Sequence, residues 1–186
     1  MKTAPRDFTS ITELPGGRAT REQLSMIRTR YDEAAKRAAG KRVLEVVCWP
    51  DMRRSSWVAT SHSTSFAALG HTIRDCSNVL QMNARGMPFA NSSFDLVVLF
   101  EALYNLPDAE LFMSDCRRVL SPGGTVLLSS VNPEWRGGSP SPMSTRYFSV
   151  LELELLLRRH SFEPEPSSRR SSRGCYSSVA LDTCSG

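Results

Sequence analysis

The sequence predicts an α/β fold built on a parallel sheet, and three observations carry that prediction. Short apolar runs alternate with stretches of helical period, the order that strands and their crossover helices give. Glycine and proline stand between these segments, at Pro15-Gly-Gly17, Gly40 and Ser121-Pro-Gly-Gly124. The stretch Val79–Glu101 reads as a short strand ending on a polar pair, a Pro turn, and a buried strand ending on an acid. Polar groups from two strand ends then share one edge of the sheet, where open α/β sheets hold their ligands.

Taken in order, residues 1–19 read as an extended arm broken by Pro15-Gly-Gly17. Thr20-Arg-Glu-Gln23 has the form of a capping box, with a hydroxyl for the first turn and an amide to reach back. Leu24, Ile27, Tyr31, Ala34, Ala35 and Ala38 recur at helical spacing, and Gly40 ends that helix. Val43–Cys48 is short and apolar, as a central strand is. From Trp49 to Asn78 the periodicity fails, and only a weak helix over Thr64–Leu69 and a short strand over Thr72–Arg74 are suggested. About thirty residues without structure are unusual inside a compact domain.

Order returns with strands at Val79–Asn83 and Phe94–Phe100 and a helix from Asp108 to Leu120. Phe112, Cys116, Val119 and Leu120 form that helix's apolar stripe, with Asp115 and Arg118 toward water. Ser121-Pro-Gly-Gly124 fits a tight turn, Pro presetting φ and Gly accepting the positive φ that follows. A strand at Thr125–Ser130, a loop at Asn132–Pro142 and a leucine-rich helix at Ser149–His160 complete the pattern. The organisation expected is an arm over 1–19, one α/β domain over 20–162 and a Ser/Arg-rich, disordered tail over 163–186.

With 186 residues and 40% hydrophobic content, one domain with one core is expected. No run of about 18 apolar residues is present, and Met1–Phe8 lacks an apolar signal core, so the expectation is a cytoplasmic protein with no membrane partner. Five cysteines without CxxC spacing make no disulfide framework. The net charge of +4 is concentrated in residues 1–42, which hold ten Lys/Arg and five Asp/Glu. A solvated helix face accounts for this, and no basic-aromatic platform marks a nucleic-acid partner; RNA binding through that helix is the minor alternative. His62, His71 and Cys76 lack zinc-finger spacing, so no metal is expected. No serine lies in a G-x-S-x-G elbow, no G-x-G-x-x-G is present, and Cys48 reads as a small packing residue.

A nucleoside cofactor at a sheet edge needs a close-approaching backbone, an acid for ribose and a polar group for the adenine edge. Several segments match such a pattern in order and spacing: Val43-Leu-Glu-Val-Val47, Asn83-Ala84 with Met87-Pro-Phe89, Phe94-Asp-Leu-Val-Val98, and Arg117-Arg-Val-Leu-Ser-Pro-Gly-Gly124. In these segments the chain resembles the class I S-adenosylmethionine-dependent methyltransferases of the type 11 group, over residues 20–48 and 79–160. The resemblance implies a three-layer Rossmann-like methyltransferase sheet, irregular around residues 49–78 and at the C-terminus. It also implies S-adenosylmethionine as cofactor and a small-molecule acceptor as substrate. Carried over residue by residue, it assigns Glu45, Val47, Cys48, Asn83 and Ala84 to the cofactor. Glu101, by its place at a strand end, is a candidate for the cofactor or substrate pocket, the alternative being a helix cap or exposed acid, and Tyr104 and Asn105 either border the acceptor or pack the core or loop. It names no catalytic residue, and the helix around Leu24–Tyr31 becomes a lid.

Departures from the family pattern are concentrated after the first strand. Val47, Trp49 and Asp51 stand where the family has glycines, whose missing side chains let backbone approach the cofactor. Asp75, the sole candidate for a ribose-binding acid, lies eight residues before Asn83, too close for an intervening crossover helix. Two origins fit: a divergent member that rebuilt its cofactor loop, or a reading-frame shift across about 49–78 and again after about 164. The functional alternative is a protein of the same fold that does not bind the cofactor.

Overall fold

The computed structural model describes residues 21–48, 56–62, 79–83, 86–131, 133, 144–165 and 176–183. The expected arm, the Thr20 cap, the helix at Thr64–Leu69, the strand at Thr72–Arg74 and most of the loop at Asn132–Pro142 lie outside them. The elements run α1 (Arg21–Ala38), β1 (Val43–Cys48), β2 (Ser56–His62), β3 (Val79–Asn83), β4 (Phe94–Phe100), a single 3₁₀ turn (Leu103–Asn105), α2 (Ala109–Val119), β5 (Leu120–Val131), α3 (Val150–Arg159), β6 (Phe162–Pro164) and β7 (Tyr176–Thr183).

One seven-stranded sheet has the order β3-β2-β1-β4-β5-β7-β6. Its centre is parallel: β1 pairs with β4 (Glu45 opposite Val98), and β4 with β5 (Val98 opposite Leu127). These strands are mainly apolar because both faces are covered. Val43, Leu96, Val98 and Leu127 meet Ala34, Ala35 and Ala38 of α1, three small residues, together with Tyr31. Leu44, Val46, Val97, Leu99, Val126 and Leu128 point the other way, into a larger core with Phe112, Met113 and Cys116 of α2 and Leu153, Leu156 and Leu157 of α3. Helix, sheet, helix is the three-layer arrangement expected.

Local signals end the helices where the sequence places them. Asp108 caps α2 by accepting from Leu111 N, and Ser149 and Glu152 close a reciprocal capping box at α3. Gly40 follows α1 at φ +70° and Gly123 takes φ +76° after Pro122, as the tight-turn reading requires. That turn is looped out within β5: Phe94 faces Leu120 and Leu96 faces Thr125, so Ser121–Gly124 stand against Asp95 alone.

Three expectations are corrected. β2 occupies part of the segment whose periodicity fails, and it pairs antiparallel with β1, Val43 opposite His62 and Cys48 opposite Trp57. Seven residues separate β1 from β2, enough for a hairpin but not for the dozen or more that a parallel crossover needs. β7 lies where a disordered tail was expected, inserted antiparallel between β5 and β6, with Leu128 opposite Val179. Asp115 and Arg118 do not simply face water. Asp115 Oδ2 accepts from Met87 N at 2.6 Å, and Arg118 donates to Met87 O at 2.8 Å and Phe89 O at 2.6 Å. An ion pair of 2.8 Å joins the two side chains, so α2 clamps the loop that precedes β4.

Candidate functional site

From β1 the chain passes to β2 and β3 on one side, then to β4 and β5 on the other, so strand order reverses between β1 and β4. The crevice outside the carboxyl ends of those two strands is where a sheet of this kind receives a ligand. Two buried acids flank it. Glu45 lies on β1 and Glu101 directly after β4, each 7% exposed. The β1–β4 register sets Glu45 beside Val98, so Glu101 stands three residues further toward the strand tips.

Backbone conformation aims Glu101. Leu96, Val98 and Phe100 belong to the α1 face of β4, and simple alternation would turn residue 101 to the opposite face. Glu101 instead adopts φ +50°, a left-handed conformation costing a non-glycine residue about 1–2 kcal/mol. Its carboxylate comes to the α1 side, where Oε1 accepts from Ser129 Oγ at 2.7 Å and meets Arg30 Nη1 at 3.2 Å. Its own N–H donates to Ser129 O at 2.9 Å. One residue along α1, Tyr31 donates its hydroxyl to Glu45 Oε1 at 2.7 Å and sets its ring edge-on to Phe100. Consecutive residues of one helical turn thus reach both acids.

Val47 and Cys48 form the last residues of β1, opposite Val58 and Trp57 of β2. Asn83 ends β3 opposite Ser56. β3 runs in the direction of β1, so Asn83 reaches the same carboxyl edge two strands away, roughly 10 Å from β1 by the usual strand spacing. Ala84, Trp49, Asp51 and Asp75 lie outside the described residues. Glu45, Cys48, Asn83 and Glu101 therefore share one edge, while β2 brings its first residues there rather than an acid at its end. Two buried carboxylates at the switch point are a donor set suited to a cationic group, and in this structure Tyr31 and Arg30 engage them. The β1–β2 hairpin supplies no glycine cradle and no helix N-terminus among the described residues.

Tyr104 and Asn105 lie on the turn after β4. The Tyr104 ring stacks on Tyr147 at 5.1 Å, and its carbonyl accepts from Thr145 N and Arg146 N, tying this turn to the segment before α3. Among the described residues, the buried Asn105 Oδ1 and Ser130 Oγ have no hydrogen-bond partner, an uncommon state for buried polar atoms. A hollow of about 430 Å³ opens between the first turn of α2, the segment before α3 and α3 itself, floored by Leu106, Phe148 and Leu156. Ion pairs Arg159–Glu110 and Arg146–Glu152 close its rim.

Sequence reasoning missed Arg30 and Ser129. The signal was present: Arg30 falls on the buried side of α1, three residues after Ile27 and four before Ala34, a charge within an apolar stripe. Ser129 and Ser130 interrupt an otherwise apolar strand near its carboxyl end. Cys116 is buried in the core, and burial first and Asp115 second push its thiol up, so it is no thiolate nucleophile. No cluster of His, Cys, Asp or Glu among the described residues is placed to hold a metal, and no helix there is long and apolar enough to cross a membrane.

Comparison with known proteins agrees with this geometry. Residues 30–128 match the model of the methyltransferase domain family. A probable S-adenosylmethionine-dependent methyltransferase of Mycolicibacterium smegmatis is 30% identical over 73% of this chain and 57% of its own length. Phthiotriol/phenolphthiotriol dimycocerosates methyltransferase 1 of Mycobacterium ulcerans is 32% identical over 55% of this chain and 45% of its own. The chain thus spans about half the length of the curated relatives it matches. The crystal structure of the [4+2]-cyclase SpnF superposes with a TM-score of 0.65, covering 94% of this chain and 86% of that one at 16% identity, a likeness of fold. The family model over more than half of the chain and the relatives agree with the strand order: the chain belongs to the class I S-adenosylmethionine-dependent methyltransferase family.

Proposed function

We propose that the chain binds S-adenosylmethionine across the tips of β1 and β4 and directs its methyl to a small-molecule acceptor in the cytoplasm. The observation that carries this reading is the pair of buried carboxylates, Glu45 and Glu101, on either side of the switch point. Glu45 and Glu101 hold the cationic end of the cofactor, Val47 and Cys48 offer the backbone of β1, and Asn83 with Ala84 meets the adenine edge. Asn keeps an acceptor and adds an amide donor where the family carries a charged Asp. When bound, the cofactor would supply an electrophilic methyl on a cationic sulfur to the acceptor's lone pair, the sulfur leaving as a neutral thioether and the acceptor's proton passing to water. Positioning of the two reactants accounts for much of such a rate, so no general base is required of this chain. Asn105 and Ser130, with polar atoms left over near the tips of β4 and β5, orient the polar group of the acceptor.

A second reading has one observation in its favour. The antiparallel β1–β2 hairpin replaces the loop and helix that would close over the cofactor, so a protein of this fold that does not bind it is the rival. Fold alone does not choose between them. Calorimetric titration with S-adenosylhomocysteine separates the two: micromolar to submillimolar binding supports the enzyme, and no binding at millimolar concentration supports the rival.

A further inference from the structure

Arg30 holds an unusual position for a charged residue. Its side chain is 8% exposed, it sits on α1 rather than on the sheet, and it meets a Glu101 carboxylate that is 5% exposed. Burying two opposite charges is costly unless hydrogen bonds complete the geometry, and a buried pair is weak grounds for stability by itself. Here a left-handed backbone at Glu101 and a hydroxyl from Ser129 are added to bring the carboxylate to that guanidinium. The pair stands at the switch point, the place proposed for a cofactor whose donor form carries one more positive charge than its product form.

We propose that Arg30 is a specificity-determining residue of this site, the resident counter-ion of Glu101 that yields to the cationic donor and returns against the neutral product. The inference rests on the cofactor reading above and deepens it. With Arg30 on a helix over the edge, the carboxylate keeps a partner in both states, and arrival of the donor exchanges one cation for another. Tyr31, the next residue, leaves Glu45 in the same movement, since one helical turn carries both contacts. α1 thereby couples its own seating to the charge of whatever occupies the crevice.

The experiment compares S-adenosylmethionine with S-adenosylhomocysteine by calorimetry, on the wild-type chain and on Arg30→Met. Removing the competing guanidinium should tighten the charged ligand while leaving the neutral one nearly unchanged, raising the ratio of the two affinities at least about tenfold. A ratio that stays constant, or a loss shared equally by both ligands, overturns the inference while leaving cofactor binding intact. No binding of either ligand to the wild-type chain overturns the cofactor reading, and this inference with it. Hydrogen exchange on the wild-type chain decides the matter even where Arg30→Met fails to fold: amides of α1 from Arg30 to Ala38 should exchange faster with the donor bound than with the product bound. Equal exchange, or slower exchange with the donor, refutes the proposed displacement.

Discussion

Arg118→Met is the substitution whose consequence the structure defines most fully. The guanidinium donates to the carbonyls of Met87 and Phe89 and to Asp115, at 2.6–2.8 Å, while Asp115 also accepts from Met87 N. A buried hydrogen bond to a charged group contributes about 1.5–3 kcal/mol. Arg118 is 34% exposed, so water replaces part of what is lost, and three contacts together should come to about 2–3 kcal/mol. For a domain of this length that corresponds to a fall in Tm of roughly 4–12 °C. Urea denaturation followed by circular dichroism measures it, with Lys36→Met as reference, because the Lys36–Glu33 pair is exposed and its removal should change stability by less than about 0.5 kcal/mol. The clamped loop starts just after the segment proposed for adenine, so Arg118→Met should also weaken cofactor binding. Stability within about 0.5 kcal/mol of the wild type would refute the clamp.

Four further outcomes are expected. Gly124→Ala should be more damaging than Gly123→Ala: a methyl at 124 meets Ser121 O at 2.8 Å, for up to about 3 kcal/mol, whereas Gly123 has open space and only its φ of +76° to lose, for roughly 1 kcal/mol. Equal midpoints in urea would contradict this ordering. Phe112→Ala empties one of the two largest fully buried side chains among the described residues and should destabilise by about 3–5 kcal/mol, so a change below about 1 kcal/mol would mean the α2 packing is misplaced. Glu152 has its pKa pulled from 4.5 to about 2, chiefly by the Ser149 N–H, then by Arg146 and the Ser149 hydroxyl. A lowered folded pKa means that its contribution is complete above the unfolded value, declines between about pH 4.5 and 2, and is gone below; Glu152→Gln should flatten that part of the acid limb, and an unchanged limb would dismiss the cap. Finally, Tyr31→Phe removes a hydroxyl from Glu45 while keeping the ring against Phe100, so it should alter cofactor affinity more than stability, and the reverse result would make Tyr31 a packing residue alone.

How much of this was legible depends on what each signal reports. Apolar period and the flanking turns located α2 and α3 almost to the residue, and the structure adds the caps at Asp108 and Ser149, local chemistry written in adjacent positions. The central strands were visible as apolar runs, since both of their faces are buried. β2 and β7 were not, because Ser56–His62 and Tyr176–Thr183 are rich in serine and threonine and supply neither an apolar run nor clear alternation. Their places come from pairing with β1 and β5, a nonlocal condition. Glu45 was found through family resemblance and Glu101 as an acid ending an apolar run, but their partners were not. Arg30 and Ser129 are distant from them in sequence, and a left-handed Glu101 cannot be read from residue type.

Glu45 and Glu101 are proposed to receive the cofactor together at the β1–β4 switch point. Titrating S-adenosylmethionine into the wild-type chain and into Glu45→Gln/Glu101→Gln, each checked for folding by circular dichroism, tests it most directly. The wild type should bind measurably and the double variant should lose at least about tenfold in affinity, a difference of about 1.4 kcal/mol. Equal affinity in the two folded proteins would contradict it.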